Sequence, residues 1–223
     1  MEPVATVTGE ATLSLPNHAL FVGASQSGKT RLCLHLLSNP QLFSPIPKLI
    51  IYHYDQFQDS YLKTKTHLAS QGIELRLKKG CSGISLENMT KHSFQTLLLI
   101  DDFSEESASN AEIARIATNG RHMNLSLWLV WHSLYSKHAA SRVICQNLRW
   151  FFFLPSPRLE SQLRSLGSQL SMCKLLLWAF RTCQEDEDEE YKYLLLDVGP
   201  RTPNILRLRS HIHRMLPYCY ANV

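Results

Sequence analysis

Apolar positions along this chain come in blocks rather than in alternation. Short, largely apolar runs at Ala19–Val22, Lys48–Tyr54, Thr96–Ile100, Leu125–Trp131 and Trp150–Leu154 are separated by longer helical or polar stretches. A strand that is apolar on both sides must be covered on both sides, so the pattern predicts an α/β fold with a mainly parallel sheet flanked by helices. Helices are predicted from about Lys29 to Leu37, ending before Pro40, and over Ser60–Ser70, Ala108–Thr118, Pro157–Leu166 and Gln169–Phe180, with a short strand at Ile73–Leu77. Val4–Val7 and Ala11–Leu15 flank Thr8-Gly9-Glu10 and predict a short N-terminal hairpin. Tyr191–Asp197 and Ile205–Arg209 flank Gly199-Pro200 and predict a C-terminal one. The acidic run from Gln184 to Glu190 reads as a solvated loop. The expectation is a single domain, with residues 1–15 as a hairpin extension, 16–209 as the core and 210–223 as a tail.

Composition changes this picture little. The 23 Lys and Arg against 19 Asp and Glu give a formal charge of +4, which permits a polyanionic partner without requiring one. The six cysteines, Cys33, Cys81, Cys145, Cys173, Cys183 and Cys219, form no C-x-x-C pair, and the N-terminus does not read as a secretion signal. The expected setting is a reducing, intracellular one. Cys173, Cys183, His211, His213 and Cys219 are spaced too irregularly for a zinc module, and buried thiols with surface histidines are the simpler reading. No apolar stretch is long enough to predict a membrane span.

The stretch Gly23-Ala24-Ser25-Gln26-Ser27-Gly28-Lys29-Thr30 fits the phosphate-loop pattern G-x-x-x-x-G-K-[ST] at every fixed position. An apolar run precedes it and a helical run follows. Strand, glycine loop and helix N-terminus together aim backbone N–H groups and the helix dipole at an anion. Lys29 is the candidate for the β- and γ-phosphates of a nucleotide and Thr30 for Mg²⁺.

Asp101-Asp102 closes the apolar run Thr96–Ile100. A carboxylate at the tip of a buried parallel strand lies beside the phosphate loop in such a fold, which makes Asp101 a second Mg²⁺ ligand and Asp102 the residue that deprotonates water; Glu105 or Glu106 could serve instead. His132 ends the run Leu125–Trp131 and is a candidate sensor of the γ-phosphate. Arg121, in Gly120-Arg121-His122, is a candidate arginine finger acting on a neighbouring copy, with Arg142 and Arg149 as alternatives.

The succession GASQSGKT, LLLIDDF, GRHMNLSLWLVWHS, VICQNLRWFFFL and YKYLLLD…LRLR resembles the genome-packaging ATPases of the poxvirus type, within the FtsK–HerA superfamily of DNA-pumping P-loop motors. The resemblance spans most of Leu15 to Arg209. It implies a RecA/FtsK-like P-loop NTPase fold, ATP and Mg²⁺ as cofactors, and a homo-oligomeric ring threading double-stranded DNA without sequence preference. Capsid or portal proteins are further implied partners, and host nucleus or cytoplasm at sites of virion assembly is the implied location. Carried across, the phosphate loop is Gly23–Thr30, the acidic pair Asp101 and Asp102, and the candidate finger Arg121. The sensor tip is usually glutamine in this family, and here it is His132. Lys63, Lys65, Lys78, Lys79 and Lys91 are available for the DNA backbone. Two other readings stay open from the residues alone: a P-loop kinase acting on a nucleoside or small molecule, and a nucleotide-dependent interaction module without turnover.

Overall fold

The computed structural model describes residues 3–7, 12–89, 92–186, 189–214 and 217–222. The strands are β1 (Pro3–Val7), β2 (Leu13–Ser14), β3 (Ala19–Val22), β4 (Phe43–Ser44), β5 (Leu49–Tyr54), β6 (Glu74–Lys79), β7 (Thr96–Ile100), β8 (Leu125–Trp131), β9 (Trp150–Phe153), β10 (Leu194–Asp197), β11 (Leu208–Ser210) and β12 (Tyr218–Asn222). The helices are α1 (Lys29–Leu37), α2 (Asp59–Ser70), α3 (Ser104–Ser109), α4 (Ala111–Asn119), α5 (Ala139–Asn147), α6 (Leu159–Gln169) and α7 (Cys173–Glu185).

Ten strands form one sheet in the order β1-β12-β11-β10-β9-β3-β8-β7-β5-β6. From β9 to β6 every pairing is parallel. From β9 through β10, β11 and β12 to β1 every pairing is antiparallel. The sheet divides two apolar layers, and the pleat assigns alternate residues to each. Leu20 and Val22 of β3 face the side that holds Ile113 and Ile116 of α4, Ile144 of α5, Leu163 of α6 and Leu176 of α7. Ala19 and Phe21 face the other side, against Leu32 and Leu36 of α1 and Tyr61 and Leu68 of α2. Both faces are covered, which is why the central strands are apolar at consecutive positions.

Four expectations change. The N-terminal strands do not pair with each other: β1 runs antiparallel to β12, from Pro3 opposite Asn222 to Val7 opposite Tyr218, and β2 pairs in parallel with β4. The open edge of β12 offers β1 a ladder of five residues, more than a two-residue β2 could supply; the turn Thr8-Gly9-Glu10 lies outside the described residues. Residues 210–223 are not a tail, since 218–222 form β12 of the main sheet. The helix expected at Ala108–Thr118 is two helices, because Asn110 accepts from the N–H groups of Glu112 and Ile113 and so caps α4. The acidic run is not wholly solvated. Gln184 and Glu185 finish α7 and Glu189 is buried, while Glu187 and Asp188 lie outside the described residues. Among the described residues no helix is long and apolar enough to cross a membrane.

Candidate functional site

The carboxyl ends of the parallel strands converge on one edge of the sheet, where ligands bind in open α/β folds. Gly23 follows β3, Asp101 follows β7, His132 follows β8 and Tyr52 lies near the end of β5. Gly23 is required by space: a Cβ there would stand 2.5 Å from Ser27 Oγ and 2.9 Å from Leu154 Cβ. Gly28 (φ 89°) and Gln26 (φ 63°) are both left-handed, and they curl residues 24–28 into a concave turn ahead of α1. Successive N–H groups in such a turn face a common point. Ser27 Oγ is buried in this curl without a hydrogen-bond partner.

Lys29 is 6% exposed. Its ammonium donates to Gly23 O at 2.9 Å and Ala24 O at 2.7 Å, and approaches His132 Nδ1 at 3.4 Å. Burial lowers its pKa from the usual lysine value, and the carboxylates of Asp102 and Asp101 oppose that shift. The cation thus spans the loop's own carbonyls, poised for a stronger anionic partner.

Asp101 is 1% exposed. Its Oδ2 accepts from Thr30 Oγ1 at 2.8 Å and from Tyr52 OH at 2.6 Å, whereas Oδ1 is buried with no hydrogen-bond partner. Burial pushes its pKa above the ordinary carboxylate value, with Asp102 adding to the rise; the Tyr52 and Thr30 hydroxyls and Lys29 work against it. A carboxylate with one orphaned oxygen beside a threonine hydroxyl is a hard-oxygen donor set, which fits Mg²⁺. Asp102 is exposed and holds a left-handed backbone (φ 66°).

Lys29, Thr30, Asp101, Asp102 and His132 are therefore brought to one edge. Arg121 is not. It lies in the 3-10 turn Gly120–Met123 ahead of β8, at the opposite end of that strand, and is exposed. Within one chain it is remote from the phosphate loop. Arg142 is exposed on α5. Arg149 is committed elsewhere: its Nε and Nη2 donate to Asp197 Oδ1 and Oδ2 at 2.9 and 3.1 Å, and its Nη1 to Ser14 Oγ at 2.7 Å. Glu105 pairs with His138 on the surface, and Glu106 is exposed.

Tyr52 was not singled out from the sequence. A tyrosine inside the run KLIIYHY was a signal, because a buried phenol seeks a hydrogen-bond partner. A second missed feature is a cavity of about 250 Å³ beside the loop, lined by Gln26, Gly28, Arg31, Leu154 and Tyr191 among others. Arg31 pairs with Glu190 and lies 5.1 Å over the Tyr191 ring, which stacks on His35.

Solved structures share this fold. The genome packaging NTPase B204 from Sulfolobus turreted icosahedral virus 2, solved in complex with ATP-gammaS, superposes with a TM-score of 0.53 at 16% identity, over 83% of this chain and 94% of that one. B204 from Sulfolobus turreted icosahedral virus, described as a DNA-packaging ATPase, gives 0.51 at 13% identity over the same shares. At such identity the likeness establishes the fold, an α/β P-loop NTPase fold with a mostly parallel core. No family model and no curated protein sequence matches the chain.

Proposed function

We propose that this chain is an ATP-hydrolysing translocase that packages the double-stranded DNA of a virus or virus-like element into a capsid, working as a homo-oligomeric ring inside the host cell. The observation that carries the reading is the Thr30 Oγ1 to Asp101 Oδ2 hydrogen bond of 2.8 Å, beside a curled phosphate loop that holds Lys29. These groups come from distant parts of the chain, and they meet where a triphosphate and its ion need them. The fold shared with genome-packaging NTPases supports the biological half of the reading.

Each residue has a definable task. The N–H groups of the loop cradle phosphate oxygens, apart from that of Ser27, which donates to Ala24 O at 3.2 Å. Lys29 exchanges the carbonyls of Gly23 and Ala24 for the β- and γ-phosphates. Thr30 and Asp101 hold Mg²⁺, which when bound neutralises phosphate charge. Asp102 orients and deprotonates the attacking water. His132, in contact with Lys29, exchanges that contact for the γ-phosphate and reports its presence. Arg121 reaches the site of an adjacent copy and offsets charge on the transferring phosphoryl group. Lys63, Lys65, Lys78 and Lys79 are exposed on α2 and β6 and serve as salt-sensitive DNA contacts; Lys91 lies outside the described residues.

The test is the ATPase rate with and without long double-stranded DNA. Stimulation by DNA is expected, with turnover abolished in Lys29→Ala and Asp101→Ala. Arg121→Ala is expected to abolish turnover while ATP binding persists. Phosphate transfer to a nucleoside, or nucleotide binding with no turnover under any condition, overturns the reading.

A further inference from the structure

Asp186 and Glu189, which follow α7, lie against His211, His213 and Arg214, and the contact is chemically unusual. Glu189 is 5% exposed and His211 is 4% exposed. Three ligand-type atoms, one each from Asp186, Glu189 and His211, lie within 4.8 Å of one another. His211 Nε2 stands 2.8 Å from Glu189 Oε2 and 3.3 Å from Asp186 Oδ2. His213 Nε2 approaches the other Glu189 oxygen at 3.3 Å.

Two further observations point to a ligand. Although His211 Nε2 and Glu189 Oε2 nearly touch, neither atom has a hydrogen-bond partner, so no aligned N–H joins them. The outer nitrogens of both rings are held by hydroxyls. His211 Nδ1 is 2.6 Å from Ser210 Oγ, which itself pairs with Tyr220 OH at 2.9 Å, and His213 Nδ1 is 3.1 Å from Tyr193 OH. Such outer-shell bonds orient an imidazole whose other nitrogen is a metal ligand. With the His211 proton on Nδ1, the Nε2 lone pair faces a carboxylate lone pair across 2.8 Å, an arrangement that a cation makes favourable.

We propose that Asp186, Glu189 and His211, with His213 adjoining, bind a transition-type divalent ion of the Zn²⁺ class. Imidazole with carboxylates suits Zn²⁺ and its neighbours, whereas Mg²⁺ and Ca²⁺ favour all-oxygen sets. The Arg214 guanidinium stands 3.0 Å from Glu189 Oε2, but its side chain is half exposed and withdraws to solvent when the ion takes the carboxylate. The site is separate from the phosphate loop yet mechanically near it. The Tyr191 N–H donates to Glu189 Oε1 at 3.0 Å, and Tyr191 forms part of the cavity wall beside the loop. The ion would therefore brace that wall. The sequence suggested surface histidines here, but His211 is buried, and no cysteine belongs to the group.

The test uses the full chain, stripped with a chelator, nucleotide-free and Mg²⁺-free in reductant. Calorimetric titration with Zn²⁺ is expected to show one ion per chain. Asp186→Asn and His211→Gln are each expected to weaken it by at least about tenfold, Arg214→Gln to tighten it, and Asp101→Asn to leave it unchanged. Co²⁺ should give visible bands of nitrogen and oxygen coordination without an intense sulfur charge-transfer band. Asp186 is half exposed, so its variant keeps the fold, which a thermal melt verifies. Absence of Zn²⁺ binding, equal affinity in Asp186→Asn and His211→Gln, loss in Asp101→Asn, or a sulfur band each overturns the assignment.

Discussion

Replacing Tyr52 by Phe isolates the electrostatics of the buried carboxylate at the heart of the site. The ring stays, so no cavity forms; only the hydroxyl that donates to Asp101 Oδ2 at 2.6 Å is lost. That distance is typical of a bond to a charged acceptor, and such a bond contributes about 1.5–3 kcal/mol. Both residues are buried, so solvent screens little of it. The same energy, expressed as a pKa change, lifts Asp101 further above its already raised position. The sign follows from that position. Asp101 titrates above its unfolded value, so ionising it costs the fold: stability falls as pH rises from the ordinary carboxylate value through the folded one, then levels. The variant extends that fall to higher pH. The difference between the two proteins is therefore small in acid, where both keep a neutral Asp101, and reaches about 2 kcal/mol once Asp101 is ionised in both. For a chain of this length that is a Tm lowered by roughly 5 °C. Urea melts of both proteins along a pH series measure it, and contributions from other groups cancel in the difference. A penalty independent of pH, or one that stays below about 0.5 kcal/mol across the whole series, refutes the placement of the phenol on an ionisable Asp101.

The remaining predictions concern groups at the opposite end of the strands. Arg149→Ala strips the buried Asp197 of its bidentate partner, leaving Arg209, the Gly199 N–H and the Thr202 side chain, and should destabilise the fold by about 3 kcal/mol. Burial works to raise the Asp197 pKa, but the hydrogen bonds from Arg149 and Gly199 and the Arg149 charge hold it below the ordinary value. The contribution is thus present above that value and lost as pH falls below it, and denaturant melts should show the acid slope shrink in the variant. His18 is buried and its Nδ1 accepts the Leu127 N–H at 2.9 Å, so burial, with the Arg121 charge second, pushes its pKa down to about 3. Stability tied to His18 is complete above its unfolded value and drains as pH falls toward the folded one, by up to about 1.4 kcal/mol per pH unit. His18→Gln should flatten that part of the profile, and an unchanged slope refutes the assignment.

What could be read from the chain, and what could not, follows the range over which each signal acts. The central parallel strands were legible because each is buried on both faces and so carries its signature within its own residues, as in Thr96–Ile100 and Leu125–Trp131, unlike the largely exposed edge strand β6. The phosphate loop and the acidic tip were legible for the same reason, being local sequences next to local strands. The pairing of β1 with β12 was not, since a ladder between the two ends of the chain leaves no mark within either strand. Helix α5 escaped notice because Ile144 is its one buried aliphatic among small and polar residues. The break at Asn110 was hidden because Asn is a weak helix former but a strong cap, and only the structure tells which role it takes. Glu189 is the sharpest case. Nothing in seven consecutive polar or acidic residues marks one of them for burial; the mark is carried by His211, His213 and Arg214, more than twenty positions on. Burying that carboxylate is costly unless something of opposite charge meets it. The Arg214 guanidinium supplies that charge and two imidazoles pack beside it, at a wall that Tyr191 shares with the phosphate loop. At Asp101, too, the buried carboxylate is met on one oxygen only, by the Tyr52 and Thr30 hydroxyls, while Oδ1 has no hydrogen-bond partner. In both places a buried acid keeps one oxygen without a hydrogen-bond partner.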